Sequence, residues 1–157
     1  MGRMKRENYR IADQLRRAVY GEAWHGDAVF ELLAGISAEQ AGVRRAPGTH
    51  SIAELTLHIA VWLEAAHHRL HGNPARLLGD ADWPTAVTWE AATERLRHAA
   101  EQLLASAEQA DLDAPVPGQA YDVYFLLHGV VQHTLYHAGQ IALLKRWSEP
   151  SSDPRPL

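Results

Sequence analysis

The chain has no cysteine among its 157 residues. Disulfide scaffolds, thiolate zinc sites and a cysteine nucleophile are excluded at once. Any transition metal it holds must sit on histidine and carboxylate. A basic excess is also missing, since 15 lysines and arginines stand against 19 acidic residues, a net charge of −4 with histidine neutral. With no positive surplus to neutralise phosphates, no nucleic-acid partner is expected. No apolar run approaches the ~20 residues that span a bilayer, so no membrane partner is expected. The basic start, Met1 to Arg6, has no apolar segment behind it and does not read as a secretory signal. The expected location is cytoplasmic. Internal repeats and low-complexity segments are not evident, and strand-like alternation is nearly missing.

Helical spacing is what remains, and it recurs along the chain. A first helix is predicted from about Glu7 to Tyr20, with Ile11, Leu15, Ala18 and Val19 on its apolar side. Asp27 reads as the N-cap of a short helix, Ala28 to Ala34, and Ser37 to His50 as a loop. Ser51 and Glu54 form a capping box that opens a second long helix to about His71, ended by Gly72 and Pro74. A third spans about Thr88 to Glu108, with Trp89, Ala92, Leu96, Ala99, Leu103 and Ala107 as its stripe. A fourth runs from near Asp122 to near Trp147. The architecture expected is all-α, a four-helix bundle with long connecting loops. It forms one domain over residues 1–147, followed by a flexible tail at 148–157. Tight hairpins would not need such long loops, so the loops are expected to cover one end of the bundle, where a site could sit.

Ten histidines is a high count for this length. His133 and His137 stand at i and i+4, so their rings lie one above the other on one side of the fourth helix. Their stripe reads Leu126, Val130, His133, His137, Ile141, Leu144, an apolar face with two polar rings in its middle. Such rings cost free energy unless something satisfies them, and a metal ion is one such partner. The competing account is that they are core histidines satisfied by hydrogen bonds. A metal held for chemistry takes three protein ligands and keeps one position open, and His58, beside the apolar seam of the second helix, is the best third ligand. His67 and His71 repeat the i, i+4 spacing, but His67 lies about 180° around the helix from His58, so the pair is expected to face water. His128 is about 140° off the paired face. His50 and His98 read as surface or loop residues. His25, with Trp24 in a glycine-flanked loop, is a candidate pocket residue, as are Asp82 and Gln132. Glu22 and Asp122 read as caps or solvated charges before they read as catalytic groups, and no general base is identified.

Several segments together resemble the DinB-like (DinB/YfiT-like) superfamily. They are Gly21 to Gly26, Pro47 to Trp62, Asp82-Trp83-Pro84, and Leu127 to Ile141 with its core Gln132 to Gln140. The likeness extends from about residue 10 to residue 147. It implies a four-helix bundle with one long crossover, an inward-facing metal site and a homodimer. The family's metal-binding histidines match His58, His133 and His137, with no ligand position substituted.

Three imidazoles suit a divalent transition metal, zinc or nickel first, with iron, manganese or copper as alternatives. Such a site can lower the pKa of a bound water, or bind and deprotonate a small thiol. The resemblance implies both hydrolases and S-transferases that use low-molecular-weight thiols such as bacillithiol or mycothiol. Transfer of such a thiol to an electrophile is the favoured expectation; with no cysteine in the chain, the thiol would have to come from a cosubstrate. A metal-dependent hydrolase is one alternative; a non-catalytic, metal-stabilised binding or stress-response protein is the other. Trp62, Trp89 and Trp147 lie on helix faces, where they serve either core packing or a dimer interface.

Overall fold

The computed structural model describes residues 2–73, 79–85 and 87–148. Six helices run through it: α1 (Gly2–Tyr20), α2 (Val29–Leu33), α3 (Ala38–Gly42), α4 (Ile52–Leu70), α5 (Trp89–Ala107) and α6 (Val123–Ser148). A 3-10 turn at Gly79–Ala81 lies between α4 and α5. Among the described residues there is no strand, only an isolated bridge between Pro115 and Asp122. The chain is all-α, as the spacing predicts. None of the described helices is long and apolar enough to cross a membrane. The expected tail beyond Ser148 and the predicted stop at Pro74 lie outside the described residues.

The four long helices form a closed ring of packing partners. α4 packs on α5 and α6, and α1 packs on the same two. In that ring α1 stands diagonal to α4, and α5 diagonal to α6. A chain that crosses a diagonal cannot use a tight hairpin. The connection from α1 to α4 therefore carries α2 and α3, and the one from α5 to α6 is the proline-containing stretch 108–122. Ile59 and Leu63 of α4, Leu96 and Leu103 of α5, and Leu127 and Ile141 of α6 are fully buried between the helices. Arg95 clamps Glu64 with two bonds of 2.8 and 2.7 Å, joining α5 to α4 at their edge.

The helix starts follow local hydrogen bonding, with three departures from expectation. α1 begins at Gly2 rather than near Glu7, because Met4, Lys5 and Arg6 are good helix formers and nothing breaks the run. α2 is capped at Ala28, not Asp27: the Glu31 carboxylate accepts the Ala28 N–H at 2.8 Å. The stretch expected as loop from Ser37 contains α3. There Ser37 Oγ accepts the Gln40 N–H at 3.2 Å and Gln40 Oε1 accepts the Ser37 N–H at 2.9 Å. Five residues are too few to show a helical period, so only the capping pair could have announced this helix.

The capping box of α4 is present. Ser51 Oγ accepts the Glu54 N–H at 3.2 Å and Glu54 Oε2 accepts the Ser51 N–H at 2.8 Å. Arg44 Nε donates to the same carboxylate at 2.9 Å, and that carboxylate side chain is only 13% exposed. The guanidinium, helped by the Ser51 bonds, lowers the Glu54 pKa to about 2. A depressed carboxylate stabilises the fold above its unfolded pKa and stops doing so as pH falls through the folded value. Glu54→Gln is therefore expected to cost on the order of 2 kcal/mol at pH 7. In denaturant titrations the gap from the parent chain should begin to shrink below about pH 4.5 and close near pH 2. A gap that stays constant across that range would show that the charge of Glu54 is not what anchors α4.

Candidate metal centre

α4 and α6 pack against each other and bring their histidines face to face. His58 and His137 are buried, at 4% and 6% exposure, and His133 is half-buried between them. Ring centroids stand 4.9 Å apart for His58 and His133, 4.6 Å for His58 and His137, and 4.5 Å for His133 and His137. One donor atom from each lies within 4.8 Å of the other two, and among the described residues no other group of three or more ligating side chains converges so closely.

The hydrogen bonds decide which nitrogens face inward. His58 Nδ1 is 2.8 Å from the Asp82 carbonyl oxygen, which can only accept, so Nδ1 carries the hydrogen and Nε2 is bare. Gln140 Oε1 accepts from His137 Nδ1 at 2.7 Å, which leaves His137 Nε2 bare as well. His133 Nε2 lies 3.0 Å from His58 Nε2, while His133 Nδ1 is buried without a hydrogen-bond partner. His58 and His137 are thus oriented as metal-ligating histidines are, with the distal N–H held by an oxygen acceptor.

Electrostatics favour neutral rings. Burial pushes the His133 pKa down to about 3, and the neighbouring His137 and His58 rings add to that. His58 is lowered chiefly by burial, against the opposing pull of Asp82. His137 is lowered chiefly by burial, against its bond to Gln140. Imidazole binds metal through a neutral nitrogen's lone pair, so a proton does not compete strongly for this site near pH 7. Donor type, convergence, preset tautomers and depressed pKa values all fit a divalent ion on His58, His133 and His137.

A loop closes over the histidines. Gly79, at φ 56°, lets the chain turn so that both the Asp82 and Trp83 N–H groups bond its carbonyl, at 3.0 and 3.1 Å. A side chain at this left-handed position would be strained. The turn delivers Asp82 to His58 and Trp62: Trp62 Nε1 donates to Asp82 Oδ1 at 2.8 Å, and the same oxygen is 3.2 Å from His58 Nδ1. Trp83 lies flat on His58 with centroids 3.8 Å apart, and His50 stacks on the other face of the indole at 3.5 Å.

Of the candidate pocket residues, Asp82 joins the site. Gln132 is on the exposed side of α6, and it is Gln140, three residues after His137, that reaches a ring. Trp24 and His25 do not join the triad. Trp24 is fully exposed, and the two lie beside Val131 and Leu135. His25 also borders a cavity of about 620 Å³ with Ala138 and Ala142. Those α6 positions point roughly 140–180° away from His133 at 100° per residue, so the loop covers the opposite side of the helix. The chemistry, not the cavity volume, locates the site. Asp122 caps α6 by accepting the Phe125 N–H at 2.8 Å, and Glu22 sits beside Arg17 at 3.6 Å. His128 packs against Tyr124, with centroids 4.4 Å apart.

Sequence reasoning missed the Trp83 stack, the Trp62–Asp82 bond and the place of His50. The four-residue interval from His58 to Trp62 was a usable signal for Trp62, since it puts both on one side of α4. Nothing in the spacing connects His50 or Trp83 to the site.

The model of one protein family, the DinB superfamily, matches residues 23–141 of the chain. No curated protein and no solved structure matches it.

Zinc titration against a competing chelator tests the site. The His133→Ala, His137→Ala double variant should lose tight binding. Gln140→Leu, which frees His137 Nδ1, should weaken binding about tenfold. Metal content in the double variant equal to that of the parent would overturn the assignment.

Proposed function

Since the chain belongs to the DinB superfamily, we propose that it is a divalent-metal enzyme that transfers a low-molecular-weight thiol to an electrophilic small molecule. The observation that carries this reading is the number of ligands. The converging group has three histidines and, among the described residues, no fourth histidine or carboxylate joins it. Structural metal sites close their coordination with protein, whereas catalytic ones leave a position for substrate. A divalent ion bound there would supply Lewis acidity, favouring the thiolate form of a thiol at neutral pH.

The protein's own groups have separate tasks. His58, His133 and His137 provide the donors. Asp82 and Gln140 hold two of the rings in one tautomer, and Asp82 is engaged by Trp62 and His58, which makes it a positioning residue rather than a general base. Trp62 and Trp83 wall the histidines with apolar surface, which strengthens electrostatic interactions inside. In the transfer the thiol sulfur forms a bond to the electrophilic carbon, the leaving group departs with its electron pair, and the thiol proton goes to solvent. The chain has no cysteine of its own to compete as nucleophile.

The same reading includes a second copy of the chain. On α6, Phe125, Tyr136, Leu143 and Trp147 are 54–67% exposed. With Gln132 they follow intervals of seven and four residues, a single outward stripe. Trp62 and Trp89 are used internally, the latter donating to the Ile36 carbonyl at 3.0 Å, so Trp147 is the tryptophan of the three left for a partner. Two copies packed through this stripe across a two-fold axis would cover it with itself. Light scattering should find a dimer for the parent chain and a monomer for Leu143→Glu; a monomeric parent chain would remove the dimer.

Conjugation of monochlorobimane with a panel of low-molecular-weight thiols tests the reaction. A rate that needs added metal and is abolished in the His133→Ala, His137→Ala variant is expected. If no thiol gives a metal-dependent rate although the protein binds metal, hydrolysis or a structural role takes precedence.

A further inference from the structure

We propose a second, weaker divalent-metal site at the far end of α4, formed by His67 and His71. It involves none of the residues of the triad and is independent of the function proposed above. His67 lies nine residues beyond His58, about 14 Å along the helix at 1.5 Å per residue. The expectation that this pair simply faces water holds only for His71, which is exposed. His67 is half-buried against α5.

Two observations make the pair a ligand set. The ring centroids of His67 and His71 are 4.5 Å apart, the same separation as His133 and His137. The Ser106 hydroxyl determines the tautomer of His67. Ser106 Oγ donates its single hydrogen to the Gln102 carbonyl at 2.9 Å, so at 2.9 Å from His67 Nδ1 it can only accept. His67 Nδ1 therefore carries the hydrogen, and Nε2 holds the ring's free lone pair. A serine held by its own helix thus does for His67 what the Asp82 carbonyl does for His58. Burial, with the His71, His68 and His98 rings nearby, keeps His67 in the neutral form that binds metal.

The ligand is a borderline divalent ion that favours imidazole, copper or nickel ahead of zinc. With two protein donors and one of them exposed, water completes the coordination, and binding should be at least about tenfold weaker than at a three-histidine site. His68 is not a member: it follows His67 directly, about 100° around the helix, and its ring centroid is 5.7 Å away.

Calorimetric titration of the full chain with nickel tests this. The parent chain should take up two equivalents in a tight and a weak class. His71→Ala, at an exposed helix end where folding is not at risk, should remove the weak class and leave the tight one. The His133→Ala, His137→Ala variant should do the reverse. Ser106→Ala should weaken the second class severalfold and leave the first unchanged. One equivalent in the parent chain, or a weak class that survives in His71→Ala, would overturn the second site.

Discussion

Three imidazole rings share the interior face between α4 and α6; His133 Nε2 lies 3.0 Å from His58 Nε2, and His133 Nδ1 is buried with no partner. Burying a polar atom without a partner costs about 1–3 kcal/mol, and His133 Nδ1 carries that cost in an otherwise apolar seam. Two of the rings have their outer nitrogens tied, His58 to the Asp82 carbonyl and His137 to Gln140. Their Nε2 atoms therefore keep free lone pairs, and one donor atom from each of the three rings lies within 4.8 Å of the others. His133 depends on them most: its Nδ1 is buried and unpartnered, and its pKa falls furthest. The three rings are a group that could hold a metal ion.

This grouping explains features of the fold that helix packing alone would not require. α4 and α5 are ring neighbours and need only a short link, yet the chain between them turns at Gly79 and lays Asp82 and Trp83 over His58. Trp83 fits between His58 and His50 because the loop after α3 and the loop after α4 meet above the start of α4. The Glu54 carboxylate, which secures that start to Ser51 and Arg44, thereby also holds the segment from which His50 and His58 project. Stability at the helix N-terminus and geometry at the histidines are mechanically linked.

The long helices and the triad were legible in the sequence because both depend on one regular quantity, about 100° of rotation per residue. That rotation placed His133 above His137 and put His58 at the edge of an apolar seam. What it could not supply is the register between elements. His67 looked like a water-facing residue when α4 was read alone; its bond to Ser106 exists because of where α5 lies against α4. Trp24 and His25 read as pocket residues because tryptophan and glycine flank a histidine. The diagonal crossing from α1 to α4 carries that loop past the wrong side of α6. Asp82 lay in a turn whose composition marked it as a loop, while its contact with His58 depends on the left-handed conformation at Gly79.

The two histidine pairs make a controlled comparison within one molecule. His67–His71 and His133–His137 have the same sequence spacing and the same centroid separation. The difference lies in their surroundings. The α6 pair faces a third imidazole across a desolvated interface, under two indoles, whereas the α4 pair has one ring against α5 and the other in solvent. An i, i+4 histidine pair therefore specifies only that two donors can reach one ion. A third donor and apolar walls come from the helix opposite and the loop above. In this chain α4 contributes to both arrangements, offering His58 to α6 near its start and keeping His67 and His71 together at its end.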